Sequence, residues 1–249
     1  MDRRTGPEFA VDVETVERRE FAQRQHGRLV QQRGDEQPVL RRARRVSLGE
    51  PGARRVEVDP ADAAFAHPTK PIGPVYPAGQ HAALQRERGW VLHPVPGGVR
   101  RIIASPRPQR ILETAAVRAL LDAGHLVIAC GGGGVPVARD ADGFTGVEAV
   151  IDKDRVSALL ACDINADALL LLTDVDGVYR DWPEPRRDWI GRIDATQVAA
   201  LAFDAGSMGP KVEAACAFVT VGHGFAAIGA LDELPQLLGG GTGTIVTAG

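Results

Sequence analysis

Three lysines stand out against the rest of the chain's positive charge. Of 29 basic residues only Lys70, Lys153 and Lys211 are lysines, and each lies in a proline-, glycine- or acid-rich motif: HPTKPIGPVY, GVEAVIDKD and AGSMGPKVEAA. A lysine ammonium is a compact point charge with three rotatable donors, whereas guanidinium is a broad planar fork. A sequence that spells positive charge as arginine elsewhere, yet keeps lysine here, points to anion chemistry in a crowded place, with phosphate the usual anion. The competing explanation is chance survival in an arginine-biased sequence. Lys153 and Lys211 also fall where helices are expected to begin, and a cation there opposes the helix dipole unless an anionic ligand is present. Asp154 would hold the Lys153 ammonium, while Asp152 or Asp154 could equally serve as an N-cap. Pro68, Pro71 and Pro74 stiffen the loop around Lys70 and would place one charge accurately, although an exposed loop lysine explains it as well. Arg100 and Arg101 are a further, less specific anion contact.

Two other motifs carry chemistry. The apolar run HLVIAC leads directly into Gly131, Gly132, Gly133 and Gly134, where backbone amides could cradle an anion. A tight turn would need only one or two glycines. The spacing is neither GxxxxGK[ST] nor GxGxxG. The run ALLLLT ends in TDVDGVY, in which Asp174, Asp176 and Gly177 form a turn and Val178 and Tyr179 offer flat apolar surface. Beyond the end of a buried strand that turn could hold a base and ribose; by itself Asp-Gly is a hairpin signal. Ser207 is the expected N-cap of the helix bearing Lys211.

Helices and strands of regular spacing must position these residues. Ile111, Leu112, Ala115, Ala116, Ala119 and Leu120 recur at helical spacing and end at Gly124. Strand HLVIAC, a helix over 154–163, strand ALLLLT, helices over 195–203 and 207–219, and closing strands at 225–229 and 243–246 follow. Fully apolar strands between helices argue for a parallel sheet covered on both faces, with ligands beyond the strands' carboxyl ends. Residues 1–55 form a separate, Arg- and Gln-rich segment carrying a charge of about +4, expected to be marginally helical or poorly ordered. Its cluster at Arg41, Arg42, Arg44 and Arg45 reads as a solvated tail before it reads as a nucleic-acid patch.

Composition narrows the class. The chain has 249 residues, 44% of them hydrophobic, a net charge of −3 and a pI near 6.1. That is enough to bury a full core and gives no reason to expect nucleic acid as a partner of the whole chain. Cys130, Cys162 and Cys216 have neither disulfide-framework nor zinc spacing, so no protein-held metal is expected and a reducing cytoplasm fits. No apolar run approaches a membrane span.

From about Val56 to the C-terminus, the motifs KPIGPVY, RRIIASP, GGGGVPV, GVEAVIDKD, NADALLLLTDVDGVY and GSMGPKVEAA stand in the order and spacing of the carbamate kinases of the amino-acid kinase superfamily, which the chain resembles. TDVDGVY alone is shared with other amino-acid kinases. The resemblance implies a three-layer α/β/α sandwich on a largely parallel sheet of around eight strands, formed by residues 56–249 with a protruding subdomain over about 59–103. It implies reversible phosphoryl transfer between ATP and carbamate, run from carbamoyl phosphate and Mg2+-ADP in arginine catabolism, by a cytoplasmic homodimer. Lys153, Asp154 and Lys211 match the catalytic groups around the phosphoryl group. Lys70 and Gly131 through Gly134 match substrate contacts. Asp174, Asp176, Gly177, Val178, Tyr179, Met208 and Pro210 match the nucleotide pocket. The family's GGNAL-type and HGNGPQVG-type loops have no counterpart in residues 1–55, so the N-terminal strands are expected to be incomplete. The alternative is a catalytically impaired nucleotide-binding remnant.

Overall fold

The computed structural model describes residues 9–13 and 44–47 as backbone, and residues 54–180, 188–203, 208–221 and 224–249 in full. Ser207, the expected N-cap, and the arginines at 41 and 42 lie outside the described residues. The chain divides into two compact units, a C-terminal one from Met1–Val46, Leu121–Leu126 and Ala161–Gly249, and a middle one from Ser47–Leu120 and Val127–Leu160.

Strand β1 is Phe9–Val13, β2 is Arg44–Ser47 and β3 is Arg55–Val58. The two N-terminal strands depart from the expected helix or unordered tail. In FAVDV the last three residues alternate apolar and polar, with β-branched Val11 and Val13 on either side of Asp12, a pattern suited to an edge strand.

In the middle unit, β3 pairs parallel with β9 (Val135–Asp140) and antiparallel with β7 (Pro108–Ile111), and β9 forms a hairpin with β10 (Gly143–Gly146). Glu57 in β3 bridges Arg110 of β7 at 2.9 Å and Arg139 of β9 at 3.1 Å, fixing the register on the outer face. The inner face buries Val56, Val58, Ile111, Cys130, Ile151 and Val156 together. Ile111 therefore belongs to a strand, opposite Val56, and helix α3 starts only at Thr114 (Thr114–Asp122). Its helical spacing was misleading because a β-branched residue that can pair and bury at once favours the sheet. The short helix α1 (Ala63–Ala66) is capped by Asp62.

A second sheet in this unit, β4 (Lys70–Tyr76), β6 (Gly98–Ile103) and β5 (Leu92–Val95), is an antiparallel sheet with helix α2 (His81–Arg88) between β4 and β5. It covers the segment expected to protrude. Arg100 Nε donates to Gly73 O at 2.9 Å, and the Arg101 guanidinium lies 4.7 Å from the Trp90 ring centre. Both arginines thus have partners in or beside this sheet.

In the C-terminal unit, β11 (Ala168–Thr173) is buried at all six residues and lies parallel to β1 on one side and to β15 (Phe225–Ala230) on the other. Strand β16 (Thr244–Thr247) pairs antiparallel with β15 and parallel with β14 (Arg192–Asp194). Strands β12 (Val178–Tyr179) and β13 (Trp189–Ile190) form a two-residue ladder of their own, and β8 (His125–Ile128) pairs with β2. Leu170, Leu172, Ala227 and Ile245 face Leu237 of helix α7 (Leu234–Leu238). Burying the four large side chains, Leu170, Leu172, Leu237 and Ile245, is worth about 1.5–3 kcal/mol each against the cost of ordering the chain. Helix α6 (Met208–Val221) packs on β11, β15 and β16 and buries Phe218 and Val219 completely. Helix α4 (Lys153–Ile164), most of which belongs to the middle unit, matches its expected bounds within a residue. Helix α5 (Ala195–Ala199), capped by Asp194, is one turn long because Leu201 N–H closes a turn on Val198. The fold is mixed α/β with parallel sheet segments. Among the described residues the strands form sheets of five, four, three, two and two members.

Candidate functional site

The middle unit brings Lys70, Asp152, Lys153 and Asp154 into one neighbourhood. Lys70 begins β4, opposite Ile103 of β6, and its Nζ donates to Asp152 Oδ2 at 2.8 Å. Asp152 is buried, and its Oδ1 accepts the Asp154 N–H at 3.0 Å. The Val156 N–H reaches the Asp152 carbonyl at 3.2 Å, so Asp152 is the N-cap of α4. Burial would raise the Asp152 pKa, yet the hydrogen bond and charge of Lys70, followed by the Asp154 and Arg155 amides, hold it below the ordinary carboxylate range. Lys153 occupies the first helical position with Nζ 3.6 Å from Asp154 Oδ1, and the Asp154 side chain is 6% exposed. Two cations and two carboxylates at a helix N-terminus can receive the charge of an anionic group arriving beside them.

Sequence reasoning weighed Asp152 only as a cap. The signal that could have found its second role was the isolated lysine in a proline-stiffened loop, a cation in need of a fixed carboxylate.

The glycine run follows Cys130, itself left-handed at φ 56°. Gly132, Gly133 and Gly134 have φ of 77°, 96° and 80°. A Cβ on Gly133 would stand 2.1 Å from Ile151 O, and one on Gly134 would stand 2.7 Å from Arg54 O. Two of the four glycines are therefore demanded by close backbone packing, whereas Gly131 and Gly132 have open space where a Cβ would be. The loop is held against the chain that leads into Asp152.

The C-terminal unit holds the remaining residues. Beyond β11, Asp174 and Asp176 are exposed, and the Tyr179 hydroxyl donates to the Asp176 carboxylate at 2.8 Å. Gly177 is buried, and a Cβ there would lie 2.8 Å from Trp189 Nε1. Val178, expected to offer apolar surface, is fully buried and its N–H donates to Thr244 Oγ1 at 2.8 Å. Alternation along β12 sends Val178 inward and leaves Tyr179 partly exposed. Met208 and Pro210 are partly buried in the first turn of α6, and Lys211 is 2% exposed. No helix among the described residues is long and apolar enough to cross a membrane.

The family model described as the amino acid kinase family matches residues 76–224. Carbamate kinase of Rhizobium meliloti (strain 1021) is 46% identical over 196 residues, covering 78% of this chain and 60% of that protein. Carbamate kinase of Escherichia coli (strain K12) is 45% identical over 193 residues, covering 78% and 64%. The chain thus spans less than two thirds of the length of these relatives. Among solved structures, carbamate kinase from Giardia lamblia bound to AMP-PNP is similar with a TM-score of 0.73 at 36% identity, over 82% of this chain and 66% of that one.

Proposed function

The chain belongs to the amino acid kinase family, and on that footing we propose that it transfers a phosphoryl group reversibly between a nucleotide and carbamate. In the direction from carbamoyl phosphate, a terminal oxygen of ADP attacks the phosphorus, the P–O bond to the carbamoyl oxygen breaks, and carbamate leaves as an anion. No general base is required, because the nucleophile is already ionised. The work left to the protein is positioning and charge stabilisation. Lys153 and Lys211 are the cations assigned to the phosphoryl group and the nucleotide phosphates, with Asp154 as the carboxylate that orients Lys153. Lys70 and Gly131 to Gly134 are assigned to carbamoyl phosphate. Asp174, Asp176, Gly177, Val178, Tyr179, Met208 and Pro210 are assigned to the nucleotide. Val178 takes part there through its backbone, since its side chain is buried.

Mg2+ would neutralise charge on the nucleotide's phosphate oxygens and arrive with it. The relative solved with AMP-PNP supports nucleotide use by this fold. A cytoplasmic homodimer acting at the end of arginine catabolism completes the reading, as does a division into an Arg-rich segment 1–55 and a kinase domain 56–249.

The observation that carries the proposal is the joining of Lys70 to Asp152 at the N-terminus that presents Lys153 and Asp154. The test is ATP formation by the purified chain from carbamoyl phosphate and Mg2+-ADP, abolished by Lys153→Ala. A second reading, a nucleotide-binding remnant, is favoured by the lack of GGN and HGNG sequences in residues 1–55. ADP binding without turnover in the unaltered chain would select it.

A further inference from the structure

Asp152 uses its two carboxylate oxygens on two different elements. Oδ2 receives the Lys70 ammonium from strand β4, and Oδ1 caps helix α4 through the Asp154 N–H. The strands that carry Lys70 are tied to the segment leading into Asp152 by more than this pair. Lys70 lies opposite Ile103, Ala104 forms a parallel bridge with Ala149, and the Val150 N–H donates to Ala104 O at 3.0 Å. One strand position back from Ile102, Arg101 pairs with Glu148. Backbone and side chains therefore bring the start of β4 to the Asp152 carboxylate, and the 2.8 Å contact is more than the chance reach of a flexible side chain.

We propose that Asp152 is a positioning residue that sets Lys70 against the helix N-terminus presenting Lys153 and Asp154. The role rests on the phosphoryl-transfer reading above and deepens it. One buried carboxylate keeps a cation from another strand in place while fixing the first turn of the helix that supplies the other two groups. Asparagine caps a helix about as well as aspartate does, but it brings no charge to Lys70. Asp152→Asn therefore separates the two tasks, and Asp152→Ala removes both.

The chain's three lysines make the test direct. Lysine labelled with 13C at Cε gives three signals, and Lys70→Arg identifies one of them. In the unaltered chain the Lys70 ε-methylene protons should be inequivalent, as for a fixed side chain. In D152N they should collapse to one averaged signal while the Asp154 and Arg155 amides stay protected from hydrogen exchange. In D152A both the signal and the protection should be lost; if D152A does not fold, D152N decides alone. An unchanged Lys70 signal in D152N overturns the proposal, as does loss of amide protection in D152N equal to that in D152A.

Turnover supplies a second readout. ATP formation in D152N should fall about ten- to a hundredfold through misplacement of Lys70, with ADP affinity within about twofold of the unaltered chain. Unchanged turnover in D152N overturns the role. A chain with no turnover at all overturns the phosphoryl-transfer reading instead, and the lysine signals still decide whether Asp152 holds Lys70.

Discussion

Gly133 and Ile151 approach so closely that a single Cβ on the glycine would stand 2.1 Å from the Ile151 carbonyl oxygen. The glycine run is thereby packed against the residue just before Asp152. Its backbone conformation and its packing both exclude a side chain, for different reasons. Gly133 is left-handed and crowded, whereas Gly132 is left-handed with open space around it.

This difference separates two substitutions. Gly132→Ala should cost about 1–2 kcal/mol, the penalty of a left-handed non-glycine residue. Gly133→Ala should cost more, because the backbone at Ile151 must also move. Urea denaturation of the two variants checks the order, and equal midpoints would contradict it.

Thr244 is fully buried and serves two backbone groups, accepting from Val178 N–H and donating to Ile190 O. Thr244→Val keeps the shape but leaves both groups unpaired, which should destabilise the C-terminal unit by about 1–3 kcal/mol. Thr244→Ser should recover most of that loss. Midpoints of thermal unfolding provide the measurement, and a neutral valine variant would rule out the role.

The Asp152 carboxyl has a lowered pKa in the folded chain, with burial opposing and Lys70 and the helix amides prevailing. A depressed folded pKa contributes stability above the unfolded value, near 3.8, and loses it as pH falls through the folded pKa. The stability difference between the unaltered chain and Asp152→Asn should therefore be constant at neutral pH and shrink below about pH 4. Urea titrations across that range follow it; a difference that grows on acidification would refute the assignment.

Burial pushes the Cys130 thiol up to about 11. The thiolate is the reactive form, so at pH 8 Cys130 should be the slowest of the three cysteines to react with a thiol reagent in the folded protein. Cys162 and Cys216 are also raised by burial but are partly exposed. Mass spectrometry of timed labelling reads the order, and early modification of Cys130 would count against its burial.

Lys153→Ala and Lys211→Ala should each lower phosphoryl transfer by about a hundredfold or more, the usual cost of removing a charge-stabilising group. The burial of Lys211 adds a stability cost in its variant, so Lys211→Met, which keeps the aliphatic stem, is the cleaner comparison. Initial rates of ATP formation decide between this and a structural role.

The sequence alone determined the elements whose pattern is local and strong. The apolar run ALLLLT between helical segments read as a buried strand, helix α4 followed from the alternation of strands and helices, and the rarity of lysine singled out Lys70 and Lys153. The tertiary structure decided what depends on partners distant in the chain. Ile111 fits a helix by spacing but pairs opposite Val56, and the buried N–H of Val178 finds its acceptor in Thr244, far along the chain. Asp152 looks like an ordinary cap until Lys70 arrives from 82 residues away. Periodicity records which face a residue presents, whereas the partner of a buried charge is fixed only when strands from separate parts of the chain are brought side by side.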